Sequence, residues 1–199
     1  MTQEEIKKLA DAYLNKCGFD DGIRNRLADI GYWMAPASKG HHLAEPGGLV
    51  RHSCNVPKRL VELTGQFDIR WPRTESPFVV GMLHDLVKCR CYRDTGGANL
   101  GGGVKYDYVQ PAYPGHGAAS VMIAHELGIR LERAEIASIT CHMGMFGVDK
   151  EYSYAEFNAA LRDFAPFVIA THAADWWAAR VDEDYDCNAP DGSNGNRRR

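Results

Sequence analysis

Gly81-Met82-Leu83-His84-Asp85-Leu86-Val87-Lys88 is the stretch on which the reading of this chain turns. Val79, Val80, Met82, Leu83, Leu86 and Val87 leave almost no polar face, so the segment reads as a buried helix from about Ser76 to Val87. Into that apolar run the sequence sets an adjacent His84 and Asp85. A buried carboxylate costs several kcal/mol unless it is paired or bound to a metal. An imidazole beside a carboxylate is a mixed nitrogen and oxygen ligand set suited to manganese, iron, cobalt, nickel or zinc. The pair becomes a metal centre only if further ligands arrive from elsewhere in the chain.

Four segments can supply them. His52 stands near the start of a helix predicted from about Leu49 to Leu63, where Pro57 predicts a kink or a later start. His116 lies in Pro114-Gly115-His116-Gly117, where a helix should begin and run to Leu127 with Gly128 as its stop. His142 closes a helix predicted from Glu132 to about Cys141. Asp175 lies in His172-Ala173-Ala174-Asp175-Trp176-Trp177, within a last helix predicted from about Phe164 to Val181.

The order His52, then His84-Asp85, then Asp175 resembles the HD-domain superfamily of metal-dependent phosphohydrolases, over about residues 45 to 182. His116 and His142 fall where its two-metal branches place extra histidines. More loosely, the glycine-rich stretch after Lys88 and the Tyr113-to-Gly117 segment are similar to a bacterial branch that includes 3′-to-5′ exonuclease-type members. The resemblance implies an all-α helical bundle with a small β-hairpin insertion after the His-Asp helix. It implies one or two divalent transition-metal ions held by His52, His84, Asp85, His116, His142 and Asp175, with Asp85 bridging. A phosphoester of a nucleotide or a related small phosphorylated substrate would then be cleaved by a metal-activated water. Two metals about 3.5–4 Å apart can clamp a phosphoryl group in this way. Lys88, one helical turn beyond His84-Asp85, would hold the scissile phosphate as a point charge. Two other readings stay open: a two-iron oxygenase on the same ligands, and a non-catalytic nucleotide-sensing module.

The rest of the chain frames that centre. Ile6, Leu9, Ala10, Tyr13 and Leu14 predict an amphipathic helix over 3–16, stopped at Gly18, and a second helix should run from about Gly22 to Met34. These N-terminal helices, residues 1–44, are expected to pack on an HD domain spanning 45–184. Cys89–Arg93 and Val104–Val109 are β-prone and glycines separate them, which predicts a hairpin. A short helix from Tyr154 to Leu161 should precede the last one. Residues 185–199, rich in Asn, Gly and Arg, read as a disordered tail.

Composition narrows the setting. The chain has 199 residues and a formal charge of −3, which offers no global attraction to nucleic acid or anionic membrane. Nucleic acid as a partner is therefore not indicated, and oligomeric state is unspecified. No apolar run approaches the roughly 18 residues of a membrane span. The N-terminus lacks a signal-peptide pattern, and the six cysteines show no paired CxxC spacing, so they are expected to be thiols in a cytoplasmic protein. Cys89 and Cys91 as metal ligands are the weaker reading.

Several polar and aromatic residues have ordinary explanations. His125 faces away from His116 on its helix and reads as a surface residue. His41 and His42 sit in a Gly/Pro loop and read as solvated. His172 shares a face with Asp175 and can contact ligands or substrate. Arg90 and Arg93 read equally as contacts to a phosphate chain or as edge-strand charges. The Trp176-Trp177 pair reads as core plus rim rather than as a base-stacking platform.

Overall fold

The computed structural model describes residues 2–39, 43–98 and 104–183. Its architecture is all-α with one small antiparallel hairpin. Helix α1 (Gln3–Lys16) opens with a capping box, in which Thr2 accepts from the Glu5 amide and Glu5 reaches back to the Thr2 amide. Gly18 then leaves the helix at φ +73°. Helix α2 (Asp21–Asp29), capped by Asp20, is shorter than its apolar pattern suggests. Gly31, at φ +81°, turns the chain before Met34 can extend it.

Helix α3 (Gly48–Phe67) runs without a break through Pro57. The later start considered for this helix is not seen, and the ring of Pro57 packs against α4 (Ser76–Leu83) at Gly81. A Cβ on Gly81 would lie 2.5 Å from Pro57 Cγ and 2.6 Å from Cδ. Glycine is therefore required there by the close approach of the two helices.

The central helix ends earlier than expected, at Leu83, and its continuation is tighter. The amides of Leu86, Lys88, Cys89 and Arg90 each bond to the carbonyl three residues back, in a 3₁₀-like pattern that leads into the short α5 (Lys88–Cys91). Cys89–Cys91, expected as strand, are thus helical. The hairpin follows as β1 (Tyr92–Ala98) and β2 (Val104–Tyr108), with Tyr92 opposite Tyr108 and Arg93 opposite Asp107. Gly96 and Gly97 belong to β1 rather than to the turn.

Helix α6 (His116–Glu126) and helix α7 (Arg133–Thr140) follow close to expectation, and a 3₁₀ turn covers Gly144–Gly147. Helix α8 (Tyr154–Trp177) contains both helices expected in this region, joined at Phe164 (φ −138°, ψ 21°), two residues before Pro166. It passes into a π turn over Ala178–Asp182.

One apolar cluster runs from Ile6 and Leu14 through Leu49, Val56 and Leu60 to Val80, Met82, Leu83 and Leu86, and on to Ile123, Ile139 and Ala174. The N-terminal helices share this core, because α1 packs on both α3 and α4. A second, smaller cluster joins Cys141, Tyr152, Phe157 and Val168. Two buried polar ties hold the frame. Arg73 makes a two-pronged ion pair to the fully buried Glu135, and Tyr32 donates to the Met82 carbonyl.

No helix among the described residues is long and apolar enough to cross a membrane. Cys17, Cys54, Cys89, Cys91 and Cys141 are free thiols. His41, His42, Cys187 and the expected tail from 185 onward lie outside the described residues.

Candidate metal centre

The elements bring all six expected ligands to one place. His52 comes from the second turn of α3, His84 and Asp85 from the end of α4, and His116 from the first position of α6. His142 lies in the turn after α7, and Asp175 lies in α8. His52, His84, Asp85 and His142 are each at most 2% exposed. Such burial of four ionisable side chains demands internal partners.

The side chains fall into two clusters that share Asp85. In the first, His52 Nε2 lies 3.2 Å from His84 Nε2 and 3.0 Å from Asp175 Oδ1. Asp85 Oδ2 lies 3.6 Å from His52 Nε2 and 3.3 Å from His84 Nε2. In the second, the other Asp85 oxygen, Oδ1, lies 2.5 Å from His116 Nε2 and 3.6 Å from His142 Nε2. The candidate ligand atoms of His52, His84 and Asp85 lie within 4.8 Å of one another, as do those of Asp85, His116 and His142.

The outer ring nitrogens are fixed by partners facing away from the centre. His84 Nδ1 donates to the Gly81 carbonyl at 2.9 Å and His142 Nδ1 to the Ile139 carbonyl at 2.7 Å. His52 Nδ1 lies 2.8 Å from Glu183 Oε1, which also accepts from Asn55 Nδ2 at 3.0 Å. With the proton on Nδ1, the Nε2 lone pair is the one turned inward, which is the tautomer a metal ligand needs. The Nε2 atoms of His52 and His84, only 3.2 Å apart, then present lone pairs to each other. That arrangement requires a proton or a cation between them. The donor set of imidazoles and carboxylates fits divalent transition metals.

Local packing explains how the ligands meet. A Cβ on Gly117 would lie 2.3 Å from the Ile139 carbonyl oxygen and 2.4 Å from that of Thr140. Glycine thus lets the start of α6 press on the end of α7, which brings the His116 and His142 rings to 5.4 Å. Glu151 accepts from the amides of His116 and Gly117 at 3.1 and 3.3 Å and caps α6. Ser120 accepts from the Val87 amide and donates to the His116 carbonyl, tying α6 to the turn after Asp85.

Lys88 completes the inner charges. The 3₁₀-like turns eclipse residues three apart, so Lys88 stands over Asp85, with Nζ 2.5 Å from Oδ2. Burial opposes the lysine cation, yet Asp85 outweighs it and raises the Lys88 pKa. Burial would also raise the carboxyl of Asp85, but Lys88, His84 and His116 hold it well below the usual carboxylate range. His52 and His84 do the same for Asp175 against its burial. Burial disfavours a charged His84, and the Asp85 and Asp175 carboxylates reverse that and raise its pKa to about 10. His52 is raised too, by Asp175 and Glu183 against its own burial.

The remaining candidates are placed as follows. His172 donates from Nδ1 to the His142 carbonyl at 2.7 Å, so it contacts a candidate ligand residue. His125 is exposed. Arg90 pairs with Glu126 at 2.6 Å, away from the ligands, and Arg93 is exposed on β1. Trp176 and Trp177 are 53% and 52% exposed, so both lie at the surface and neither is core. Sequence reasoning missed Glu183, whose carboxylate is fully buried on His52. Compared with protein-family profiles, with curated proteins and with solved structures, the chain gives no match.

Proposed function

We propose that this chain is an HD-type metal-dependent phosphohydrolase that cleaves a phosphoester of a nucleotide or a related small phosphorylated compound. The observation that carries the reading is Asp85. Its two oxygens face two separate ligand clusters, and the ammonium of Lys88 lies 2.5 Å from one of them. Divalent cations held by His52, His84, Asp85 and Asp175 and by Asp85, His116 and His142 would supply Lewis acidity and lower the pKa of water at neutral pH.

The protein's own groups do the rest. Asp85 and Asp175 stay ionised and offset the charge of the cations. Lys88 stays cationic, and its flexible stem can carry Nζ from Asp85 to a phosphate oxygen. The apolar helix walls limit water around the centre, which strengthens these interactions. A phosphate ester matches the charges present: a cationic lysine and two candidate cation clusters around one dianionic or monoanionic group.

The test is turnover by protein loaded with manganese, cobalt, nickel or zinc on a panel of nucleoside and sugar phosphates, with inorganic phosphate as the readout. Release that is lost in Asp85→Ala supports the reading. Bound metal without turnover of any phosphoester overturns it in favour of a sensing module, and oxygen uptake by the iron-loaded form overturns it in favour of an oxygenase.

A further inference from the structure

Phe146, His172 and Trp176 form a three-ring cluster beside the metal-ligand set. The His172 and Trp176 rings are 6.2 Å apart and nearly parallel, at 14°. Phe146 stands 6.3 Å from His172 and 5.9 Å from Trp176, tilted by 45° and 48°. Phe146 is 56% exposed and Trp176 53%, so large aromatic faces are open to solvent.

The cluster is built into the ligand-bearing segments. Trp176 directly follows Asp175 in α8. Phe146 lies in the 3₁₀ turn just after His142, and the hydrogen bond from His172 Nδ1 to the His142 carbonyl joins the two sides. Gly144, at φ +56°, brings its backbone against the His172 ring, where a Cβ would meet three ring atoms at 2.9 Å. That turn therefore needs glycine twice over, for its backbone angle and for the ring it supports. With Nδ1 donating, His172 Nε2 carries a lone pair that can accept from an amino group or a hydroxyl.

We infer that Phe146, His172 and Trp176 form a stacking subsite for the planar base of a nucleotide whose phosphate lies at the metal centre. The inference rests on the phosphoester reading above and narrows it to nucleotides over sugar phosphates. Stacking is tolerant of base identity, because every base has a π face. Adenine is a suitable probe for the subsite.

Adenosine, which carries no phosphate, tests the subsite apart from metal and turnover. The chain has four tryptophans, whose indole N–H signals are resolvable in ¹⁵N-labelled protein. Trp176→Phe identifies the Trp176 signal by its loss. Adenosine should shift that signal saturably while ribose does not, and Phe146→Ala should weaken the shift. An unmoved Trp176 signal, or equal movement of all four, overturns the subsite. So does a dimer that dissociates in Trp176→Ala, because a second copy would then be what covers these rings.

In the metal-loaded protein, AMP should show a KM roughly ten-fold or more below that of ribose 5-phosphate, and Trp176→Ala should close that gap. Adenosine binding without hydrolysis of either phosphate keeps the subsite and sinks the phosphohydrolase. Hydrolysis of both with equal KM and an unmoved indole signal does the reverse.

Discussion

His52 Nδ1 lies 2.8 Å from Glu183 Oε1, across 131 residues of chain. The two are held together by the π turn after α8, whose Asp182 makes a two-pronged pair with Arg59 of α3. A carboxylate on the outer nitrogen of a ligating histidine fixes the ring and raises its basicity. Glu183→Gln should therefore weaken metal binding about 10- to 100-fold while leaving the helical signal intact. Competition against a fluorescent chelator measures this, and an unchanged affinity would remove Glu183 from the centre.

Metal count separates the two clusters. Asp85→Ala should lose metal from both, since its two oxygens serve one each. His142→Ala should lose metal from the second cluster alone and keep that bound by His52, His84 and Asp175. Elemental analysis of protein purified without chelator decides between these outcomes, with circular dichroism to confirm folding.

Lys88→Met keeps most of the side chain's packing and removes its charge. Metal content should stay at the wild-type level, whereas kcat on phosphoesters should fall by about 10²-fold or more, as for the loss of one strong electrostatic contact to a reacting group. Unchanged kcat would mean that Lys88 serves only to neutralise Asp85.

The crossing of α3 and α4 makes a prediction about stability. Gly81→Ala places a methyl group 2.5–2.7 Å from the Pro57 ring. Overpacking of this kind costs about 1–3 kcal/mol, and here it also disturbs the carbonyl that orients His84. Thermal melts should show the loss, and Pro57→Ala added to Gly81→Ala should recover part of it, which a double-mutant cycle would quantify.

In metal-free protein, a His84 pKa raised from 6.5 to about 10 means that the folded state holds this proton more tightly than the unfolded chain does. The associated stabilisation is fully present below about pH 6.5 and is lost as pH rises toward about 10. A cation must displace the same proton, so metal affinity should rise across that window with proton release. Calorimetry in buffers of different ionisation enthalpy would count the protons, and a flat profile would contradict a raised His84 pKa.

The buried His84-Asp85 pair was legible from residue types, and the resemblance to the HD superfamily named the other four residues that gather around it. An apolar run with His84 and Asp85 inside it, and isolated histidines at predicted helix ends, are signals that survive without coordinates. Glu183 left no such mark. It sits in Val181-Asp182-Glu183-Asp184, a charged run that reads as the start of a polar tail, and only the π turn directs it inward. The end of α4 at Leu83 was equally hidden, because continuous apolarity does not distinguish α-helix from 3₁₀ turns when every face is buried. The packing of the Pro57 ring on Gly81 of another helix was hidden too, because no local pattern links the two. Cys89–Cys91 look β-prone, but the tightened turn that sets Lys88 over Asp85 carries them on as α5.

The sharing of Asp85 has a thermodynamic consequence. One carboxylate with an oxygen in each cluster would make the binding of two ions there interdependent. With an ion in each cluster, either one would draw on the same negative charge and repel its neighbour through it. By reciprocity, the factor by which the first ion weakens the second equals the factor by which the second weakens the first. Filling of a two-ion centre would then be stepwise and anticooperative, and the cluster with the lower affinity would follow the availability of metal while the other stays loaded.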